Sequence, residues 1–271
     1  MTVSQATKAE KFRALHERPG GFVIANAFDA GSARILAGLG FEALATSSGA
    51  KAGVLGRRDG KVSRAEALAN ARAIAEASDL PVSGDLEQGY DDSPEAAAVT
   101  IREAAGVGLV GGSIEDWSGS RTYDSEEAVR RVAAASAAAR SLAFPFLLTG
   151  RCENFLRGRP DLADTIARLK AYEAAGADVL MAPGLPDLDA VRQVCAALKK
   201  PFNFMVGIKG RSFSVAELQA AGVRRISLAT SLWRAAMSGL IDAAREVRDK
   251  GTFGYVDSSV PSGELVKFMK E

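Results

Sequence analysis

Residues 81–90, Pro81-Val82-Ser83-Gly84-Asp85-Leu86-Glu87-Gln88-Gly89-Tyr90, run a short β-type segment into two carboxylates and a glycine. Side chains at i and i+2 of a strand point to one side, so Asp85 and Glu87 are expected to converge on a single point. An acid suits a plain core position poorly, because a buried unpaired charge is costly. A bound cation or a substrate proton is the simplest compensation. A second apolar run, residues 109–114, ends in Glu115 and Asp116. Two strands therefore deliver acids at the same kind of place.

Outward from this segment, similar runs recur at residues 22–26, 43–47, 144–149, 178–182, 202–206 and 225–229, and alanine-rich helical patterns at 63–77, 93–105, 125–140 and 161–175 separate several of them. Helix starts carry capping residues: Asp29, Ser63, Ser93 before Pro94, Ser125 with Glu126 and Glu127, and Ser214 three residues before Glu217. Ala-Gly pairs at 37–38, 105–106, 175–176 and 221–222 precede the next strand and read as helix stops. Strands alternating with helices imply a parallel sheet, and eight such units favour a closed (β/α)8 TIM barrel over an open sheet. The whole chain, 1–271, is expected to form one domain with a C-terminal tail from about residue 251. The apolar stretch 265–269 in that tail would suit docking on a neighbouring subunit.

Composition excludes several classes of function. Thirty-four basic against thirty-three acidic residues give a formal net charge of +1, so nothing electrostatic argues for nucleic acid or a membrane surface. No run of about 20 apolar residues occurs and the N-terminus is polar, so a cytoplasmic protein is expected. The two cysteines, Cys152 and Cys195, have no metal-ligand spacing, and Cys152, next to Arg151, is expected to pack in the core. His16 is the only histidine and is expected to be an ordinary surface or helix-packing residue. Zinc–histidine and Ser–His or Cys–His chemistry therefore have no support, and any metal should be oxygen-ligated, Mg2+ or Mn2+.

In a (β/α)8 barrel the C-terminal strand ends share one mouth. That places Asn26 and Asp29, Thr46 to Gly49, Asp85 and Glu87, Glu115 and Asp116, Arg151 and Asn203 around a common site, with Lys209 and Arg211 in the loop after the seventh strand. Acids on two strands and an arginine on a third suit a small carboxylate bridged to a divalent ion.

The segments Asn26-Ala27-Phe28-Asp29, Thr46-Ser47-Ser48-Gly49, Gly56-Arg57-Arg58-Asp59-Gly60, Asp85-Leu86-Glu87-Gln88-Gly89-Tyr90, Ile114-Glu115-Asp116 and Gly150-Arg151 together resemble the isocitrate lyase and phosphoenolpyruvate mutase superfamily, from about residue 12 to about residue 240. The resemblance implies a Mg2+-dependent enzyme that breaks a carbon–carbon bond in a small 2-oxo or 2-hydroxy acid, as a lyase or decarboxylase. It assigns the metal to Asp85, Glu87 and Glu115, directly or through water. Substrate binding falls to Thr46, Ser47, Ser48, Gly49, Arg151 and Asn203, and catalysis to Asp59, Arg151 and Glu115. It also implies a homo-oligomer, a dimer or dimer of dimers, with the eighth helix, within residues 231–247, exchanged between subunits. After strand 4, where the lyase branch carries a Cys-His loop and the mutase branch a lysine, this chain reads Asp116-Trp117-Ser118-Gly119-Ser120-Arg121. Two other readings stay open: a carbon–phosphorus mutase or hydrolase with Arg121 in place of that lysine, and a non-catalytic 2-oxo-acid-binding protein.

Overall fold

A computed structural model describes residues 3–269; the ends of the polar N-terminus and of the C-terminal tail, residues 1–2 and 270–271, lie outside the described residues. Eight parallel strands close into a barrel in sequence order: β1 Phe22–Asn26, β2 Leu44–Ala45, β3 Val82–Asp85, β4 Gly111–Glu115, β5 Leu147–Arg151, β6 Val179–Met181, β7 Phe202–Met205 and β8 Arg225–Ser227. Around and beyond them run α1 Gln5–Glu17, α2 Ala30–Gly38, α3 Ser48–Val54, α4 Arg64–Ala77, α5 Pro94–Gly106, α6 Ser125–Arg140, α7 Leu162–Ala174, α8 Leu188–Ala197, α9 Val215–Ala220, α10 Ser231–Lys250, α11 Tyr255–Ser258 and α12 Ser262–Val266. The expected TIM barrel is the observed fold. No helix among the described residues is long and apolar enough to cross a membrane.

Local chemistry explains the shifts in element ends. Strand β2 stops at Ala45 because Thr46 and Ser47 turn their hydroxyls to backbone N–H groups, of Asp85 at 2.8 Å and Ala50 at 3.4 Å. Strand β5 starts at Leu147 rather than residue 144. Pro145 has no N–H to give a ladder, so pairing begins after it and runs on to Arg151, opposite Glu115 on β4. Helix α6 is capped by Asp124, whose carboxylate accepts the Glu127 N–H, and Ser125 is its first helical residue. The caps at Asp29, Ser63, Ser93 and Ser214 form where the sequence places them.

Helix α1 plugs the N-terminal end of the barrel. Phe12 and Leu15 are buried against Phe22, Ile24, Ala43, Ala45, Val110 and Leu147. His16 joins this plug edge-on to Phe12 and Phe22, with ring centroids 4.7 and 5.0 Å away. Its Nδ1–H donates to the Phe12 carbonyl at 2.8 Å, which leaves Nε2 as an acceptor, 3.4 Å from Arg225 Nη1. The lone histidine is thus a buried packing residue that also touches the base of β8.

At the other end of the chain, α10 buries none of its residues, and Leu240, Ile241 and Val247 are exposed. Its first turn is anchored by the Trp233 indole lying on Gly53, where an added Cβ would come within 2.2 Å of the ring. The tail folds back so that the Phe268 ring covers Gly38 of its own α2.

Burial, with the Arg225 charge adding to it, lowers the His16 pKa to about 3. An unfolded histidine titrates near 6.5. Between those values the unfolded chain binds a proton that the native protein refuses, so stability falls as pH drops through this window, by up to about 1.4 kcal/mol per pH unit. Urea midpoints of the native chain and of His16→Gln, measured from pH 7.5 to 4.5, should show a shallower fall for the variant. Parallel curves would contradict this linkage.

Candidate active site

All eight strands contribute to the lining of a cavity of about 260 Å3. Its lining includes Asn26, Thr46, Ser47, Ser48, Gly49, Asp59, Asp85, Arg151, Arg157, Asn203 and Arg225, with Ile24, Leu156, Met181 and Met205 as apolar walls. All six residues assigned to substrate binding from sequence therefore line one space.

Arg151 organises the acidic side. Its Nε donates to Glu153 Oε1 at 2.6 Å, and its Nη1 lies 3.4 Å from Glu115 Oε2 and 3.7 Å from Asp85 Oδ1. Burial opposes the Arg151 charge, but Glu153, Glu115 and Asp85 outweigh it and raise its pKa. Burial likewise disfavours the Asp85 carboxylate, yet Arg151, Lys51 and the N–H groups of Ser48 and Glu87 hold its pKa below the ordinary value. Glu115 shows the opposite balance: burial, with the charges of Glu153 and Asp85, drives its pKa well up despite Arg151. Asp85 faces the cavity; Glu115 stands behind Arg151, outside the lining.

Glu87 departs from the alternation expected of it. The strand ends at Asp85, and Glu87, Gly89 and Tyr90 all take left-handed φ, at 52, 97 and 66°. Such φ values are strained for non-glycine residues. The turn swings Glu87 out of the cavity to Lys51, whose Nζ sits 3.1 Å from Glu87 Oε1 and donates to the Tyr90 hydroxyl at 2.8 Å and the Asp85 carbonyl at 3.3 Å. Gly89 is obligatory here, since a Cβ would lie 2.9 Å from Ala97 Cα. Burial raises the Glu87 pKa, and the Asp85 charge adds to this against the pull of Lys51.

The α3 N-terminus forms the facing wall. The Ser48 N–H is taken by Asp85 Oδ2 at 3.0 Å, so the loop is pinned to the acid rather than left open. A Cβ on Gly49 would come 2.9 Å from Thr230 Cγ2 and 3.4 Å from Asp59 Oδ2. Asp59 thus serves both the turn, accepting the Gly60 N–H at 3.1 Å, and the cavity rim. Asn26 ties β1 to both neighbours, donating to the Thr46 carbonyl and accepting the Leu228 N–H.

Asp116 is structural. It accepts the Glu153 N–H and the Tyr172 hydroxyl, both at 2.7 Å, and pairs with Arg168 at 3.2 Å. Cys152 is fully buried, as expected of a packing residue. Arg121 lies outside the cavity lining, held by Glu127 at 2.9 and 3.0 Å.

Two arginines in the lining escaped the sequence reading. Arg157, from the turn after β5, pairs with Glu153 at 2.9 Å beneath the Trp117 ring, 4.4 Å from its centroid. Arg225 starts β8 and points inward, donating to Asn203 Oδ1 and Thr149 Oγ1 at 2.8 Å each. The pair Arg224-Arg225 ahead of an apolar strand was the available signal, because alternation must turn one of the two inward.

This arrangement matches a known family. The family model for phosphoenolpyruvate phosphomutase matches residues 12–248. The chain belongs to that family, within the isocitrate lyase and phosphoenolpyruvate mutase superfamily. A crystal structure of a Burkholderia cenocepacia protein described as a lyase/mutase superposes with a TM-score of 0.96 at 49% identity, covering 97% of this chain and 96% of that one. An oxaloacetate decarboxylase from Chromohalobacter salexigens is 30% identical over 258 residues, 92% of this chain and 88% of its own. An oxaloacetate acetylhydrolase with bound oxalate has a TM-score of 0.88 at 25% identity, covering 96% and 93%.

Because Asp116 is buried with three partners, Asp116→Ala should cost about 2–4 kcal/mol by leaving two donors without an acceptor and taking one of two carboxylates from Arg168, which keeps Asp164 at 3.0 Å. Urea denaturation measures it. A loss below about 1 kcal/mol would show the knot to be dispensable.

Proposed function

We propose that the protein is a carbon–carbon lyase acting on a small 2-oxo acid, of the size and charge of oxaloacetate. The observation that carries this reading is the convergence of Asp85, Arg151 and the α3 N-terminus on one small cavity at the strand ends, the side of the barrel where this fold keeps its chemistry. The named activities of the decarboxylase and acetylhydrolase relatives support it.

The donor chemistry fits a hard divalent ion. Asp85 and Glu115 bring carboxylate oxygens to the same Arg151 nitrogen, and Mg2+ needs only one or two carboxylates because it keeps several waters. Among the described residues no group of three His, Cys, Asp or Glu is placed to hold an ion, and Glu87 is turned to Lys51. Asp85, the acid that faces the cavity, would hold Mg2+ or Mn2+ together with water, while Glu115 would act through Arg151 and Glu87 through Lys51 and the turn. When bound, such an ion supplies Lewis-acid stabilisation of negative charge on an enolate oxygen.

The chain's own residues do the rest. Arg151, fixed on three sides by carboxylates, keeps a planar guanidinium ready to pair with a substrate carboxylate in two-pronged fashion. Gly49 lets Thr230 and Asp59 close in on the α3 wall, where a side chain would collide with Thr230. Ile24, Met181 and Met205 keep water from the bond that breaks. Loss of carbon dioxide from a β-keto acid needs no protein base to begin, which accords with a strand-4 loop that has neither cysteine nor histidine. With Arg121 bound to Glu127 away from the cavity, the carbon–phosphorus reading loses the cation it called on.

Incubation with oxaloacetate and related 2-oxo and 2-hydroxy acids plus Mg2+, followed by mass spectrometry, tests the reading. Turnover is expected to need the ion, and Asp85→Ala should lower kcat/KM about 100-fold or more, a loss of roughly 2.7 kcal/mol in transition-state stabilisation. Tight binding without product across the panel would favour a binding protein instead, and release of phosphate from phosphonopyruvate would favour carbon–phosphorus chemistry.

We further propose that α10 packs on a second copy of the chain, because an amphipathic helix with exposed Leu240, Ile241 and Val247 gains by covering that face. Light scattering should find a dimer or tetramer that Leu240→Glu with Ile241→Glu converts to a smaller species. A monomeric native protein would overturn this.

A further inference from the structure

The cavity lining holds three arginines, and their charges are balanced very differently. Arg151 faces Glu153, Glu115 and Asp85, and Arg157 is paired with Glu153. Arg225 has no ion pair among the described residues. Its hydrogen-bond partners are an amide oxygen (Asn203), a hydroxyl (Thr149) and the imidazole nitrogen of His16, all neutral. The residue is only 4% exposed.

A buried cation held by neutral dipoles alone is an expensive thing for a fold to keep. Burial, with no acid to offset it, pulls the Arg225 pKa down to about 9, which leaves it charged at neutral pH. The apolar plug beneath it is filled by Phe12, Phe22 and Leu15, and none of its three hydrogen-bond partners carries a charge. The side chain is also held in place rather than left to wander: Asn203 spends its amide nitrogen on Ser227 and its oxygen on Arg225, and His16 presents its acceptor from below.

Position gives the charge its use. Thr149 lies two residues before Arg151 on β5, so the two side chains face the same interior, with Arg225 reaching a layer about 7 Å nearer the floor. One cavity therefore has a guanidinium near its mouth, surrounded by acids, and another at its base with none.

We propose that Arg225 forms a second anion subsite at the floor of the cavity, held by Asn203, Thr149 and His16, and that it selects acids carrying a second carboxylate remote from the one at Arg151. The inference rests on the reading of the cavity as a carboxylic-acid site. It assigns specificity to Arg225 and a positioning role to His16 and Asn203.

Calorimetric titration of the full-length protein with Mg2+ present tests it, using matched pairs that have no β-keto group to lose: succinate against butyrate, and glutarate against valerate. The native protein should bind each diacid at least tenfold tighter than its monoacid. Arg225→Met should weaken diacid binding roughly 30-fold and leave monoacid binding within about twofold, and Arg225→Lys should keep part of the preference. Equal loss for both members of a pair, or no change in a folded variant, would overturn the subsite. If Arg225→Met does not fold, the native comparison decides: equal affinity for succinate and butyrate overturns the proposal. Diacid preference in a protein that turns over none of the 2-oxo and 2-hydroxy acids would sink the lyase reading while sustaining the subsite.

Discussion

The guanidinium of Arg151, held among Glu153, Glu115 and Asp85, is the interaction on which the acidic side of the site depends. Three carboxylates on three neighbouring strand ends would repel one another in a buried setting, and one planar cation with five donors lets them coexist. The register makes this unavoidable: Arg151 stands directly opposite Glu115 on β4, and Asp85 opposite Ser113 on the same strand. Within this cluster Asp85 and Glu115 shift in opposite directions. Asp85 has added support from Lys51 and two N–H groups, whereas Glu115 has burial and like charges against it.

Lys51 gives the second acid of the Asp-Leu-Glu motif a different task. A lysine fully inside the α3 wall needs a counter-charge, and Glu87 supplies it at the cost of a left-handed turn. The strain is local and braced by Gly89 and by the Tyr90 hydroxyl. One consequence is that Asp85 and Glu87, adjacent in the motif, work on different sides of the same loop.

The barrel is also charged along its axis. Its mouth carries Arg151 and Arg157 with their acids, and its floor carries Arg225 above a neutral histidine. An α1 plug made of Phe12, Leu15 and His16 keeps water from that floor, so the dipoles around Arg225 act in a medium where they count for more than in solvent.

Much of this was legible in the chain itself. Capping residues and Ala-Gly stops marked the helices, eight apolar runs marked the strands, and their alternation determined a closed parallel barrel whose polar strand ends include Thr46, Asp85, Glu115, Arg151 and Asn203. These are local or periodic signals, and period alone says which side chains share a face. Tertiary structure alone decided the rest: that Glu87 leaves the cavity for Lys51, that Asp116 is claimed by Arg168 and Tyr172, that Arg121 stays with Glu127, and that Arg225 and Arg157 enter the site. A charged side chain goes where its partner lies: Lys51 for Glu87, and Arg168 and Tyr172 for Asp116, stand far off in sequence and are brought near only when the barrel closes. Even the nearby pairs at Arg121 and Arg157 depend on how their loops fold over the strand ends.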